Sequence, residues 1–438
     1  MLRNPDDVYT RQQRIAANAQ AYPERSFTSL AHHVDLAWLE EAYRRVRKDG
    51  AVGVDGQTAA EFETDLYGHL EQLREAVQSG RYRAPPVRRV YIPKGDGRSQ
   101  RPIGIPTLAD KVVQRAVAML LEPIYEQDFL NCSYGFRRGR SAHQALDDLW
   151  GSTMREGGGW VLDVDIQGFF DTLDHGQLRD LLASRVSDGV IRRLIGKWLK
   201  TGVMEGDAWH RTRQGTPQGG VISPLLANVY LHSVVDEWFE QVVQPRLRGR
   251  AFLVRYADDL VFGFTSETDA RRVWTALEQR LGKHGLRLHP AKTRLVPFRP
   301  PRARSNDRPG SFDFLGFTHY WGRSRAGRPI VRRRTAKDRV RRTLVATNQW
   351  CRRHRHRPVA EQHRRLSRAL RGHYAYYGVT GNICALQSVH HRTKRLWIKW
   401  LQRRSQRRMN WETAQRLLHR YPLPPARIVH SAVAGRNP

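Results

Sequence analysis

Two short stretches rich in β-forming residues, 252–256 and 260–264, flank Ala257-Asp258-Asp259 and leave room between them only for a tight turn. Phe252-Leu253-Val254-Arg255-Tyr256 and Leu260-Val261-Phe262-Gly263-Phe264 are predicted to pair as antiparallel strands with Asp258 and Asp259 at the tip. Adjacent carboxylates repel there unless a cation lies between them. Such a turn also serves local hydrogen bonding, so the pair alone defines no site. A second acidic strand end narrows the choice. Trp160-Val161-Leu162-Asp163-Val164-Asp165 alternates, which puts Asp163 and Asp165 on one face and Asp165 at the strand's end, ahead of Ile166-Gln167-Gly168-Phe169-Phe170-Asp171. Either this is an edge strand with solvated acids, or two carboxylate-bearing strand ends meet in one small sheet. The second arrangement suits two cations about 3.5–4 Å apart, activating a 3′-hydroxyl and steadying a leaving pyrophosphate. Mg²⁺ is the natural ion for oxygen ligands and phosphates.

The surrounding pattern predicts an α+β unit with helices packed on one face of a small antiparallel sheet. Apolar residues recur at three- and four-residue steps over 36–47 and 60–77, with Gly50 and Gly53-Val54-Asp55-Gly56 between them. Residues 87–106 read as a hairpin around Gly95-Asp96-Gly97, and a helix is predicted from Thr107 towards Tyr125. Further helices are predicted near 222–243 and 269–284. Residues 298–310, rich in Pro, Arg, Ser and Asn, read as a surface loop or linker. Beyond Arg332 the pattern reads as helical, with Val340, Leu344 and Trp350 on one face. The expected division is a helical N-terminal part (1–85), a mixed central part (86–320) and a basic α-helical part (321–438).

Charge separates the last part from the rest. The chain carries 75 Lys plus Arg against 42 Asp plus Glu, and residues 301–438 hold 33 of the bases and 5 of the acids. The front is nearly balanced; the back is a polycation that requires a polyanionic partner. With 40% hydrophobic residues the chain has ample material for packed cores. Cys132, Cys351 and Cys384 are widely spaced, which argues against a disulfide framework or a zinc ribbon. No run approaches the ~18 apolar residues of a membrane span, and the start of the chain lacks a secretory pattern. A cytoplasmic location among nucleic acids is therefore expected.

Tyr256-Ala257-Asp258-Asp259 resembles the catalytic box of reverse transcriptases, and Asp165 with its Ile-x-Gly-Phe-Phe-Asp continuation resembles their first palm motif. Gln214-Gly215-Thr216-Pro217-Gln218-Gly219-Gly220-Val221-Ile222-Ser223-Pro224-Leu225-Leu226 is similar to the motif lining their nucleotide pocket. The resemblance implies a right-hand polymerase, with fingers and palm followed by an α-helical thumb, in which Asp165, Asp258 and Asp259 bind two Mg²⁺ ions. Lys94 and Arg101 resemble the fingers cations that meet an incoming dNTP; each is otherwise a solvated hairpin charge. Gln218 and Gly219 fall where backbone and amide approach the substrate or template. Phe170 falls where the family keeps a ring against the sugar 2′ position; alternatively it is a core aromatic beside Phe169. Lys292 matches a lysine held to protonate pyrophosphate, or is a solvated charge. Phe314-Leu315-Gly316-Phe317 resembles the primer-grip turn, or is an ordinary strand bend.

The match is nearest to bacterial group II intron-encoded reverse transcriptase/maturases. Val52-Gly53-Val54-Asp55-Gly56, residues 86–94 and Leu370-Arg371-Gly372-His373-Tyr374-Ala375-Tyr376-Tyr377-Gly378 carry it across the chain. It implies binding of structured group II intron RNA, help with its splicing, and copying of that RNA from a DNA primer or target. Arg332-Arg333-Arg334, the arginines of 352–357, and Arg403-Arg404-Ser405-Gln406-Arg407-Arg408, interleaved with Trp350, Trp397 and Trp400, fit RNA contact driven by counterion release. Many family members end in a cysteine-bearing HNH nuclease domain, for which these 438 residues hold no cysteine pairs. Two other readings use the same residues: a free-standing reverse transcriptase of phage defence or repair, and an RNA-binding splicing factor without polymerase activity. Oligomeric state is not legible.

Overall fold

Helix Leu108–Asp128 takes the longest apolar pattern of the chain into the protein interior, with residues from Leu108 to Tyr125 buried along it. The computed structural model describes residues 5–93, 100–205, 208–210, 219–301, 310–324, 326–404 and 410–430. Thr107 caps this helix by accepting from Asp110 N. Pro123 lies within it and has no N–H to give the carbonyl of Met119. That carbonyl is taken instead by the buried Gln12 Nε2 at 2.8 Å, which ties helix Pro5–Ala21 to the spine. Trp38 Nε1, from helix Leu36–Arg45, donates to Ala116 O at 2.9 Å.

The strands are β1 (Val87–Pro93), β2 (Gln100–Ile105), β3 (Gly159–Asp165), β4 (Val203–Glu205), β5 (Ala208–His210), β6 (Ala251–Tyr256), β7 (Asp259–Phe264), β8 (Arg294–Phe298), β9 (Ser311–Phe314), β10 (Phe317–Arg323) and β11 (Pro329–Thr335). The chain divides into one unit of residues 1–152 and 159–295 and another of 153–158 and 296–438. In the first, one sheet has the order β2-β1-β4-β5 and a second the order β6-β7-β3-β8, β8 continuing into the other unit. Both the β1–β2 and β6–β7 hairpins are antiparallel, as alternation predicted. Gly95-Asp96-Gly97 lies outside the described residues.

Two helices differ from expectation for local reasons. Residues 60–77 form two pieces, Ala59–Glu63 and Leu66–Gln78, because Asp65 caps the second by accepting from Gly68 N. Residues 222–243 begin as helix Ser223–Leu231 and widen into π-helical turns over His232–Asp236 and Trp238–Val243.

In the second unit the sheet order is β11-β10-β9. Helices Lys337–Arg353, Val359–Tyr377, Ile383–Leu401 and Trp411–Arg420 follow, with Leu366, Leu370, Leu386, Val389 and Trp397 in their core. Helix therefore begins at Lys337 and not directly after Arg332: Arg332-Arg333-Arg334 lies in β11, where alternation buries Arg333 and exposes its two neighbours. Trp397 is likewise no surface residue; it is fully buried and donates to Gln362 Oε1 at 3.0 Å. Asn382 joins the sheet to the helices, accepting from Thr335 N at 2.9 Å and donating to Tyr377 O at 2.8 Å. Residues 302–309 and 405–409 lie outside the described residues.

Candidate active site

Register brings the acidic strand ends together. β3 pairs with β7 so that Asp165 faces Asp259, and β6 pairs with β7 so that Tyr256 faces Asp259. Ala257 and Asp258 are then a two-residue turn at the end of the same sheet. Ala257 has φ 57, a left-handed conformation that is strained for a residue with a Cβ. Asp259 is exposed and Asp258 partly covered. Burial pushes the Asp258 carboxyl above the usual carboxylate range. Its own backbone N–H and the charge of Arg101 pull it down, Asp165 pushes it up, and Lys292 pulls it down.

The segment after helix Glu267–Lys283 lies beside Asp165. Ile166 bridges Leu288, Gln167 N donates to Arg287 O at 2.8 Å, and His289 N donates to Asp165 O at 2.8 Å. This delivers Lys292 Nζ to the Asp165 carboxylate, at 3.1 and 3.3 Å from its two oxygens. The pair is half open to solvent, with 59% of the Lys292 side chain and 35% of the Asp165 side chain exposed. Asp163, on the same face, is engaged by Arg294 at 3.0 Å. Among the described residues no three His, Cys, Asp or Glu side chains are already gathered at metal-ligating spacing. The donor set of Asp165, Asp258 and Asp259 nonetheless fits a hard divalent ion: it is oxygen-only, and the Lys292 ammonium is the positive charge it now holds.

Behind the tip is a charged network that reading the sequence missed. Arg255 and Asp236 are both fully buried and joined by two hydrogen bonds, of 2.8 and 2.6 Å. Arg255 also donates to Asn228 Oδ1 at 2.9 Å and to Ala257 O at 3.2 Å, so it grips the strained turn. Burial alone would raise the Asp236 carboxyl, but the Arg255 charge and hydrogen bonds from His232 and Arg255 hold it below the usual range. Asn228 Nδ2 donates onward to Gly135 O at 2.7 Å. A Cβ at Gly135 would collide with the backbone nitrogen of Ala257. The available signal was an arginine inside an otherwise apolar strand, which demands a buried partner.

The remaining site residues fall on three elements. Arg101, exposed on β2 opposite Ile92, is close enough for its charge to act on Asp258. Gly219, at φ 117, rests so closely on Gly104 of β2 that a Cβ would meet that carbonyl. The backbone just after it is fixed by Gln114, whose Oε1 accepts from Val221 N at 2.7 Å and Ile222 N at 3.3 Å. Gln114 is itself held by the buried Asp110, which also accepts from Tyr82 and Trp198. In helix Phe169–Thr172, Phe169 packs inward and Phe170 stays half-buried, edge to face with it at 5.2 Å. Lys94 and Gln218 lie outside the described residues. In the second unit, Leu315 and Gly316 form a two-residue turn with both φ angles positive, and Tyr376 OH donates to Leu315 O at 2.9 Å.

A family model described as reverse transcriptase (RNA-dependent DNA polymerase) matches residues 92–319. The chain is 38% identical over 230 residues to the group II intron-encoded protein LtrA of Lactococcus lactis subsp. cremoris, a match covering 51% of this chain and 37% of that protein. It is 41% identical over 224 residues to protein YkfC of Escherichia coli strain K12, covering 49% of this chain and 56% of that protein. It is 31% identical over 177 residues to nuclear intron maturase 2, mitochondrial, of Arabidopsis thaliana, covering 32% and 24%. The chain thus spans less than two thirds of the length of these curated relatives. Among the described residues no helix is long and apolar enough to cross a membrane.

Proposed function

Because this chain belongs to the reverse transcriptase (RNA-dependent DNA polymerase) family, we propose that it synthesises DNA on an RNA template and that its template is the group II intron RNA it binds. The observation that carries the reading is the register that sets Asp165 opposite Asp259 beside the Asp258 turn. Asp165, Asp258 and Asp259 would hold the divalent ions. Mg²⁺, when bound, supplies the charge that lowers the pKa of a primer 3′-hydroxyl and stabilises the leaving pyrophosphate.

The protein's own groups do the rest. Arg101 on β2, together with Lys94, would neutralise the dNTP triphosphate and orient it for in-line attack. Gly219, kept without a side chain on top of β2, leaves space for a base pair to approach the backbone. Phe170, half-exposed behind Asp165, would crowd a 2′-hydroxyl and select deoxynucleotides. Lys292, which balances Asp165, would hold a proton for the pyrophosphate oxygen. Residues 86–320 would act as the fingers and palm and 321–438 as thumb and RNA-binding maturase region. In the latter, the Trp400 ring carries Arg352, Lys399 and Arg403 around it within 6 Å.

The test is a primer-extension assay with Mg²⁺ and an RNA template, together with sequencing of RNA that co-purifies with the full chain. Asp258→Ala with Asp259→Ala should abolish synthesis while RNA affinity stays within about tenfold, the carboxylates contributing no counterion release. An inactive wild-type protein that still binds RNA would favour a splicing factor. An active one that carries no intron RNA would favour a free-standing enzyme.

A further inference from the structure

Residues 132–137 form a strap along the strand that leads to the Asp258 turn. Arg255 N donates to Cys132 O at 2.8 Å, and Tyr134 N donates to Arg255 O at 2.9 Å. Gly135 then lies against the Ala257 backbone. The next residue, Phe136, combines two unfavourable properties: its φ is 57, and 61% of it is exposed. A bulky side chain rarely adopts the left-handed region, and an exposed ring gains nothing from burial. The strap is not loose. Arg137 is buried and fastened by Glu126 at 2.7 Å and by the carbonyls of Leu130 and Ser133 at 2.7 and 2.8 Å. A strained ring is therefore held out in solvent by a rigid support one residue from the catalytic turn.

Phe136 borders a cavity of about 760 Å³ that Phe129 and Leu225 line with apolar surface, and that Arg115 and Arg138 line with positive charge alongside the carboxylates of Glu41, Glu122 and Glu126. Arg115 pairs with Glu122 at 3.1 Å. Arg138 is exposed and makes no ion pair among the described residues. A flat apolar face with an adjacent cation is the chemistry that receives an unpaired nucleobase and its phosphate. We propose that Phe136 is a stacking platform for an unpaired base of the template strand, with Arg138 neutralising the phosphate beside it. The proposal rests on the polymerase reading for the identity of the strand. Stacking on any base face would explain why an aromatic ring, and not a polar side chain, is held in this position, since template sequence varies as it passes.

The experiment places 2-aminopurine at successive unpaired template positions of an RNA–DNA primer template bound to the full chain. In the wild type, fluorescence should be quenched at one position. Phe136→Ala should abolish that quench and weaken template binding roughly tenfold, and Phe136→Trp should retain both. Phe136→Gly relieves the left-handed strain, so it should melt no lower than the wild type while still losing the quench; a lower melting temperature together with an unchanged quench would make the ring a folding element and overturn the proposal. Equal fluorescence at every position in wild type and Phe136→Ala would overturn it as well, as would a change from dimer to monomer in Phe136→Ala on sedimentation. Primer extension by the wild type separates the two claims. An extending enzyme with no quench refutes only the platform, and a quench in a non-extending protein keeps the platform while the polymerase reading fails.

Discussion

Replacing Asp236 by Ala leaves the Arg255 guanidinium charged in a pocket with no access to water. The pair is fully buried and joined by two short hydrogen bonds, so removing one partner is expected to cost about 3–5 kcal/mol of stability. Replacing both residues by Leu removes the uncompensated charge and should recover most of that loss, leaving about 1–3 kcal/mol for the polar atoms of Asn228 and Ala257 that lose a donor. Stability and activity should then part company. The double variant no longer grips Ala257 O, so the φ 57 turn relaxes and the Asp258 carboxylate shifts. A displacement of about 1 Å at a reacting centre costs on the order of 10²-fold in rate. Urea denaturation followed by circular dichroism measures the first effect, and single-turnover primer extension with Mg²⁺ the second. A double variant that is stable and extends primers within threefold of wild type would refute the idea that Arg255 holds the turn. A cost below about 1 kcal/mol for Asp236→Ala would refute the energetic argument itself.

Three further outcomes are expected. His319 is fully buried with no hydrogen-bond partner for either ring nitrogen among the described residues, and burial, aided by Arg333, pushes it down to about 3 from 6.5. The unfolded chain takes up a proton below its pKa of 6.5 that the folded one refuses, so stability should fall by about 2 kcal/mol between about pH 7.5 and about pH 5, and His319→Leu should remove that part of the slope in melts across pH. Gln12→Ala should cost about 1–3 kcal/mol in denaturant titration, because Pro123 leaves the Met119 carbonyl no other donor; an unchanged midpoint would show that water replaces the amide. Substituting Arg352, Arg353, Arg355 and Arg357 by Gln should flatten the salt dependence of RNA binding by about 0.7–0.9 for each phosphate no longer neutralised, with Arg357 contributing least because Glu361 already pairs with it; equal slopes would make the cluster solvated surface.

The hairpin, its register and the neighbouring acidic strand were legible because alternation fixes both which strands pair and which side chains share a face. Asp163 shows where that logic stops: it shares the face of Asp165, yet Arg294, 131 residues later, takes it up. The three-stranded sheet of the second unit was hidden by arginines. Residues of β11 alternate buried and exposed, but Arg333 occupies an inward position, so a hydrophobicity reading sees a basic run that could as well be helical. The buried Arg255 was visible as an anomaly, whereas its partner Asp236 was not, since it lies on a helix whose widening into π-helical turns no propensity signals. Thr58 and Asp65 caps were available from the sequence and would have divided residues 60–77 correctly.

The second unit draws its chain from two places, residues 153–158 and 296–438. Val331 N meets the Met154 sulfur at 3.3 Å, and a Cβ on Gly158 would strike Phe298 O and the Trp321 ring. A fragment beginning at residue 296 would therefore be born without part of its own floor. Expressing the second unit alone calls for a grafted copy of 153–158, and during synthesis that hexapeptide leaves the ribosome long before the strands that cover it exist.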